Sequence, residues 1–426
     1  MTETTRRFWV ETLGCPKNQV DSDKLTGTLH ADGLEPADRP EDADVVVVNT
    51  CAFIGEARQE SIDVILGLDD ARKPGSELVV TGCMAERYDS ELAAELPGIG
   101  VAPFGVPVTL GPTRSGADGN DRPVPAFDLL ELPRPPATAP WAYVKVAEGC
   151  DRNCGFCAIP SFRGKQRSRS IDSILSEVDA LGAAEVVLVA QDLASFGRDQ
   201  GKGDRRIVPL VRAVADRVER VRLLYLYPSD LTDELVRVIG DTGVPYFDLS
   251  LQHVSRPLMR RMRRWGSGDV FADRIADIRR DLPDAAFRSN FIVGYPGETE
   301  ADHDALLDFV SSVRLDWCGF FAYSEEEGTY GAELEPKVPR GLIDERLAEL
   351  SALQDAITVE KRDELIGTDM TVLVDRPGIA RSHREAPEID GVIEVPETLA
   401  VGEFHRVVIT GAIGPDLTAA SGPADE

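Results

Sequence analysis

Residues 142–157 read AYVKVAEGCDRNCGFC. The apolar run at 142–147 predicts a strand, and the glycine and cysteines behind it predict a loop at that strand's carboxyl end. Three thiolates at Cys150, Cys154 and Cys157 suit a [4Fe–4S] cluster held through three of its irons, with the fourth iron open to another ligand. A zinc site is the alternative reading, but no second cysteine or histidine pair follows to complete it, the next histidine being His253.

Working outward, apolar runs recur at 186–190, 221–226, 246–250, 287–293 and 317–323, with helix-like stretches such as 171–182 and 299–313 between them. Six βα units predict a partial (β/α) barrel whose chemistry sits at the strands' carboxyl ends. Upstream, the runs 8–13, 45–49 and 78–81 each precede a helical segment, and a cysteine follows each: Cys15, Cys51 and Cys83. In an open α/β sheet those positions share the ligand-binding edge, so three more thiols are expected to converge. Buried apolar cysteines are the plainer alternative. Downstream of a charged helical stretch at 340–366, strand-like pieces at 370–375, 391–395 and 404–413 predict a small β-barrel.

The expected fold class is α/β multidomain: an open α/β sheet domain (1–111), a linker (112–138) where Gly, Pro and Asp crowd out any apolar period, a partial (β/α) barrel (139–362), a small β-barrel (363–413) and a disordered tail (414–426). The 426 residues are 42% hydrophobic, enough for more than one core. Seven cysteines, an odd count, argue against a disulfide framework, and no apolar stretch of membrane-spanning length occurs, so a cytoplasmic protein with no membrane partner is expected. The net charge of −28 disfavours general nucleic-acid binding and would attract a basic protein.

The Cys-x3-Cys-x-aromatic-Cys pattern, with Phe156 as the aromatic, resembles the radical S-adenosylmethionine superfamily. The resemblance implies that the open iron chelates S-adenosylmethionine, which one electron from the cluster cleaves to a 5′-deoxyadenosyl radical, with Phe156 near the adenine. The phrases TLGCPKNQVDSD, VVVVNTCAFIGEA and VVTGCMAERY resemble the N-terminal domain of the methylthiotransferase family. This implies a second [4Fe–4S] cluster on Cys15, Cys51 and Cys83, where a sulfur species is held and methylated, and a TRAM-like terminal β-barrel that contacts the substrate. ETLGCPKNQVDSD, EGCDRNCGFCAIPSFRGKQRSR and REAPEIDG are more similar to the family's ribosomal-protein branch than to its tRNA branch, which tends to carry YGCQMN and EGCNNFCTFC.

The implied activity is insertion of a methylthio group at the β-carbon of an aspartate in ribosomal small-subunit protein twelve, with an electron donor such as flavodoxin or ferredoxin. A tRNA methylthiotransferase acting on a modified adenosine is the nearer alternative, and a non-catalytic iron–sulfur carrier or electron-transfer protein the more distant one. Charge favours the protein substrate: residues 366–413 carry four Arg, no Lys and eight acids, whereas an RNA-binding barrel should show a basic face. Glu385, Glu388 and Asp390 in EAPEIDG are expected on that docking surface. Gln191 with Asp192, and Gln252 with His253, follow the second and fourth barrel strands and are expected in the catalytic mouth as cofactor partners. GYPGET (294–299) resembles a family segment beside the cofactor. The arginines of FRGKQRSR (162–169) could pair with the cofactor's carboxylate. RPLMRRMRRW (256–265) reads as a solvated helix face or an RNA contact, and Cys318 as a core cysteine.

Overall fold

The computed structural model describes residues 5–103, 128–201 and 205–422. The N-terminal unit is a parallel sheet of order β2-β1-β3-β4-β5, formed by β1 (Arg7–Thr12), β2 (Glu35–Pro36), β3 (Val45–Thr50), β4 (Glu77–Gly82) and β5 (Gly100–Val101). The helices α1 (Pro16–Ala31), α2 (Gly55–Ala71) and α3 (Cys83–Glu95) connect its strands. Every residue of β3 is buried, as a β-branched run covered on both faces of a parallel sheet requires. Thr12 pairs with Asn49 and Asn49 with Thr81, so β1, β3 and β4 end level with one another.

The second unit opens with β6 (Trp141–Lys145), β7 (Ala147–Glu148), α4 (Ile159–Arg163), β8 (Arg167–Ser168) and α5 (Ile171–Leu181). It continues through β9 (Glu185–Val189), α6 (Ile207–Ala215), β10 (Arg220–Leu223), α7 (Asp233–Asp241), β11 (Tyr246–Gln252), α8 (Arg256–Arg261) and α9 (Gly268–Asp281). It closes with β12 (Ala286–Val293), α10 (Glu300–Val313), β13 (Trp317–Ala322) and the long α11 (Arg340–Asp363). Strands β6, β9 and β10 pair in parallel, as do β11, β12 and β13, and a parallel bridge from Leu226 to Leu249 joins the two groups. This is the six-stranded partial barrel that the repeating apolar runs predict. On β12, Phe287, Phe291 and Val293 pack under the helices, while Arg288, Asn290 and Ile292 alternate onto the other face.

A closed barrel of order β14-β15-β16-β18-β17 follows, from β14 (Asp369–Arg376), β15 (Ile379–Arg381), β16 (Ile393–Glu394), β17 (Phe404–Ile413) and β18 (Asp416–Ser421). Strand β18 corrects the expectation of a disordered tail from 414. DLTAAS has too few large apolar residues to read as a strand, but it pairs with both β17 and β16 and buries Leu417, closing the sheet. The expected linker lies outside the described residues as far as 127. From 128 onward it is packed: Leu129 and Leu130 are buried, and the Lys24 ammonium donates to the Leu130 carbonyl at 2.6 Å.

Residues 382–390 close the amino end of the partial barrel. Ala386 packs among Tyr143, Tyr246 and Trp317, and the three rings donate to Pro387 O (2.8 Å), Asp390 Oδ2 (2.6 Å) and Arg384 O (2.8 Å), respectively. This overturns the docking role given to EAPEIDG. Glu385 is fully buried against Arg362 at 2.5 Å, Asp390 pairs with Arg288 at 2.6 Å, and only Glu388 is exposed. Composition counts charges but cannot separate solvated ones from those spent inside.

Glu185, fully buried on β9, meets Arg222 of β10 at 2.7 Å and Arg381 of β15 at 3.2 Å. Burial opposes its ionisation, but Arg222 and Arg381 outweigh it and hold the carboxyl down at about 2, against an ordinary 4.5. Glu185→Gln should destabilise the chain by about 3–5 kcal/mol at neutral pH, because two buried guanidiniums lose a charge partner. A lowered carboxyl stabilises above its unfolded value and loses that contribution as pH falls through the folded one. The difference in urea midpoint between parent and variant should therefore shrink between about pH 4.5 and 2. A difference that stayed constant over that window would contradict the pairing.

Candidate functional site

Because β1, β3 and β4 end in register, Cys15, Cys51 and Cys83 emerge at one sheet edge. Gly14, at φ +97°, makes the turn before Cys15; a Cβ there would stand 2.8 Å from Cys51 Cβ and 3.1 Å from its Sγ, so only glycine lets these two turns touch. Pro16 then starts α1, and the buried Asn18 ties the turns together by donating to Leu13 O (2.8 Å) and Thr50 O (3.1 Å). The Cys51 thiol is pushed up to about 12 by burial, with Cys83 and Cys15 adding to it. Burial also opposes ionisation of Cys15, but Lys17 and Arg163 outweigh it and hold that thiol below its ordinary value.

The second triad lies in the loop after β7. Gly155 has no room for a side chain, since a Cβ would fall 2.5 Å from the Tyr295 hydroxyl, and its N–H donates to Met262 O at 2.8 Å. Burial pushes Cys150 up to about 11 and Cys157 up to about 12, with neighbouring cysteines of the triad contributing to both. Two arginines brace the loop. Arg152 donates to Asp192 (2.6 Å), Ser195 (3.1 Å) and Asp230, and Arg264 donates to Cys154 Sγ (3.5 Å) and the Ser250 carbonyl. Their guanidiniums lie 3.8 and 3.9 Å from the ring centroid of Tyr227.

The two triads are joined through α4. Arg163, six residues after Cys157, donates to Cys83 Sγ (3.0 Å), Asn18 Oδ1 (3.0 Å) and Glu148 (2.9 Å), and pairs with Asp21 at 3.4 Å. Lys145 completes this buried group by pairing with Asp21 and with Glu148 at 2.7 Å. Although burial opposes it, Arg163 and Lys145 hold Glu148 far below the usual carboxylate range.

The donor chemistry fits two iron–sulfur clusters. Each triad offers thiols alone, and a guanidinium donates to one sulfur of each, suiting thiolates on an anionic cluster. Among the described residues no three Cys, His, Asp or Glu side chains are gathered as ligands of one ion. A cluster asks less, because each cysteine meets a different iron.

The other sequence-predicted residues are placed unevenly. Phe156 packs on Leu258, Met262 and Tyr295 beside the cysteine loop. Gln191 donates to Glu148 at 2.7 Å, and one oxygen of Asp192 is taken by Arg152 while the other has no partner. Gln252 stands at a register shift with φ +72°. His253 is fully buried, its Nδ1 accepting from the Ser255 N–H, in the company of Asp302, His303 and Arg346; burial drives its pKa down to about 4. It is a neutral core histidine below the mouth, which corrects its expected position. The arginines of FRGKQRSR are also committed to protein carboxylates: Arg163 as above, Arg167 to Asp128 (2.6 Å) and Arg169 to Glu177 (2.7 Å). In RPLMRRMRRW, Arg261 donates to Pro296 O (2.8 Å) and Arg264 reaches the cysteine loop, so that run is not simply a solvated face. In GYPGET the Tyr295 ring sits under Gly155. Cys318 borders a cavity of about 650 Å³ lined also by Arg288, Trp317 and Asp390, apart from both triads.

Sequence reasoning missed the roles of Arg152, Arg264 and Lys17, since Arg152 meets Asp192 across 40 residues, Arg264 meets Cys154 across 110, and Lys17 meets Tyr225 in another domain. Lys17 stands over the Tyr225 ring at 3.4 Å.

Three family models match the chain: Uncharacterized protein family UPF0004 over residues 7–102, the Radical SAM superfamily over 144–310 and the TRAM domain over 366–421. Among curated proteins, the ribosomal protein uS12 methylthiotransferase RimO of Moorella thermoacetica is 43% identical over 91% of this chain and 93% of its own length. The protein of the same name from Desulfitobacterium hafniense is 39% identical over 98% and 99%, and that from Aquifex aeolicus 38% identical over 96% of each. Among solved structures, the radical S-adenosylmethionine methyltransferase TsrM from Kitasatospora setae shares the fold, with a TM-score of 0.50 at 15% identity over 83% of this chain and 89% of that one.

Arg152→Ala should lower stability by about 3 kcal/mol, because it leaves buried Asp192 with only the Ser195 hydroxyl and Asp230 short of one cation. With the brace gone, the barrel triad should also retain less iron after anaerobic reconstitution and desalting. Iron content and melting temperature both equal to the parent's would refute the bracing role.

Proposed function

The chain belongs to the ribosomal protein uS12 methylthiotransferase family, and on that premise we propose that it places a methylthio group on the β-carbon of an aspartate of uS12. The observation that carries the reading is the link through α4: Arg163, at the end of the helix that follows Cys157, donates to the sulfur of Cys83, and the next residue, Gly164, accepts from the Cys150 N–H at 3.0 Å, so one short helix ties the barrel's cysteine loop to the N-terminal triad. A carrier protein has no need of that arrangement.

Cys150, Cys154 and Cys157 would hold one [4Fe–4S] cluster, and Cys15, Cys51 and Cys83 the other. When bound, the first supplies the electron that cleaves S-adenosylmethionine, and the second an open iron for the sulfur to be transferred. The chain's own residues do the positioning. Arg264 and Arg163 donate to the sulfurs of Cys154 and Cys83, Arg152 fixes the cysteine loop to the segments after β9 and β10 through Asp192 and Asp230, and Phe156, within that loop, would pack the adenine. A radical route is needed because the aspartate β C–H is not acidic enough for any side-chain base in the usual pKa range.

The terminal barrel supports a basic protein partner. Its exposed acids are Asp369, Glu394, Glu397 and Glu403, against exposed Arg376 and Arg406, the latter already paired with Asp369. Such a face repels RNA phosphates and attracts a ribosomal protein. A low-potential donor such as flavodoxin or ferredoxin supplies the electron, and the site of action is the cytoplasm, where ribosomal proteins are found. No helix among the described residues is long and apolar enough to cross a membrane.

Expression in cells lacking their own uS12 methylthiotransferase should restore the mass gain of one methylthio group on uS12 and leave tRNA nucleosides unchanged. Gain on a tRNA adenosine with none on uS12 would place the chain in the tRNA branch. Changing Glu394, Glu397 and Glu403 to Lys should slow association with uS12 at low salt, with the difference fading as salt rises and the Debye length falls below roughly 10 Å. Stopped-flow association across a salt series reads this directly; equal rates at low salt would remove this face from docking.

A further inference from the structure

We propose that Lys17 receives the carboxylate of the aspartate being modified and thereby selects aspartate at the reaction site. This rests on the reading of the chain as a uS12 methylthiotransferase.

The first ground is that Lys17 is a buried cation with its donors unused. It is 9% exposed, and its Nζ lies 3.4 Å from the centroid of the Tyr225 ring. Among the described residues no hydrogen bond or ion pair is formed by that ammonium. The cations of the neighbouring elements are committed elsewhere: Lys145 to Asp21 and Glu148, Arg152 to Asp192 and Asp230, Arg163 to Asp21 and Glu148, Arg264 to the Ser250 carbonyl, and Arg288 to Asp390. Asp248 on the barrel wall feels the Lys17 charge without bonding to it: it accepts from the Tyr225 N–H at 2.9 Å and faces Arg288 at 3.9 Å. A ring face alone compensates a desolvated ammonium poorly, and three N–H donors remain for an anion.

The second ground is location. Lys17 is two residues beyond Cys15, at the start of α1, whose first turn holds no acidic side chain, so the helix dipole adds to the positive potential there. Tyr225 and Tyr227, two residues apart after β10, serve one triad each. Tyr227 lies between the arginines that brace the barrel cysteines, and Tyr225 lies under Lys17 beside Cys15. Tyr225 adopts φ +65°, a conformation unusual for an aromatic residue, which the contact with Lys17 and the bond to Asp248 help hold. Lys17 therefore joins the Cys15 turn to the Tyr225–Tyr227 segment that meets the braces of the barrel triad.

The chemistry follows from the substrate. The reacting β-carbon of aspartate is one bond from its carboxylate carbon, so a carboxylate held on Lys17 keeps the β-carbon close to the Cys15 turn. Asparagine in its place would offer only a neutral carbonyl, so the desolvated ammonium would gain a hydrogen bond but no opposite charge, and binding would weaken. The methionyl carboxylate of S-adenosylmethionine has the same chemistry, and the test separates the two sources.

With the reconstituted holoenzyme, Kd is measured for uS12, for uS12 with its target aspartate replaced by asparagine, and for S-adenosylmethionine, in the parent, Lys17→Met and Lys17→Arg. The ratio of the two uS12 constants does not depend on the fraction of protein correctly loaded with iron. The parent should prefer the aspartate form by about tenfold or more, the range of a charge-assisted hydrogen bond. Lys17→Met should bring the ratio to about one, and Lys17→Arg should keep most of it. A preference retained in Lys17→Met, or absent in the parent, overturns the proposal; weakened S-adenosylmethionine binding with the preference intact assigns Lys17 to the cofactor. A parent that makes no methylthiolated uS12 refutes the functional reading instead, whatever the ratio.

Discussion

The buried group of Asp21, Lys145, Glu148 and Arg163 is the constraint on which the rest of the structure depends. It draws one member from α1, one from β6, one from β7 and one from α4, and so pins the sheet domain to the partial barrel at the point where both cysteine triads emerge. Two acids and two cations in a nearly dry setting stabilise little in net terms, because desolvation offsets most of their attraction. Their value is geometric. Apolar surfaces tolerate sliding, whereas charge-assisted hydrogen bonds lose energy steeply with distance and angle. Arg163 extends that restraint to Cys83 and Asn18, which turns a domain contact into a placement of sulfur atoms.

The same device is repeated at the other end of the barrel. Glu185, Arg222 and Arg381, with Glu385 on Arg362 and Asp390 on Arg288, seat the terminal barrel, while Tyr143, Tyr246 and Trp317 close the floor through hydrogen bonds to residues 384–390. The carboxyl ends of the strands are thereby left as the side where the cysteine loop and Lys17 gather. The barrel's acidic face survives this internal pairing, because Glu394, Glu397 and Glu403 remain exposed without an arginine.

What the sequence made legible was whatever is local. An apolar run followed by a cysteine can be read as a strand and its loop, and register did the rest: three such runs paired level put three thiols at one edge. The bracing of those thiols was not legible. Arg264 meets Cys154, and Arg163 meets Cys83, across separations of 110 and 80 residues that no local period reveals. His253 differs for the opposite reason: a place after a strand end predicts a side chain facing the mouth, but a register shift between Leu249 and Gln252 alters the alternation there and the imidazole is fully buried in the core. Strand β18 was missed because pairing with two neighbours, rather than its own composition, makes it a strand.

Lys17 shows how a motif position acquires physical meaning only in three dimensions. In the phrase CPKN it reads as one more polar residue after a cysteine, and the contrast with CQMN in the tRNA branch is a difference of letters. In the structure it becomes a difference of charge beside the Cys15 turn, over a ring face that supplies no carboxylate. A protein selected for stability alone would neutralise that ammonium with an acid in the first turn of α1, which has none. Leaving it unpaired weakens the empty protein and strengthens the complex with a carboxylate, since the desolvation is already met before the substrate arrives. A methionine there would offer a carboxylate neither charge nor hydrogen bond, so the proposed preference for aspartate rests on this one side chain and needs no change in the iron–sulfur chemistry around it.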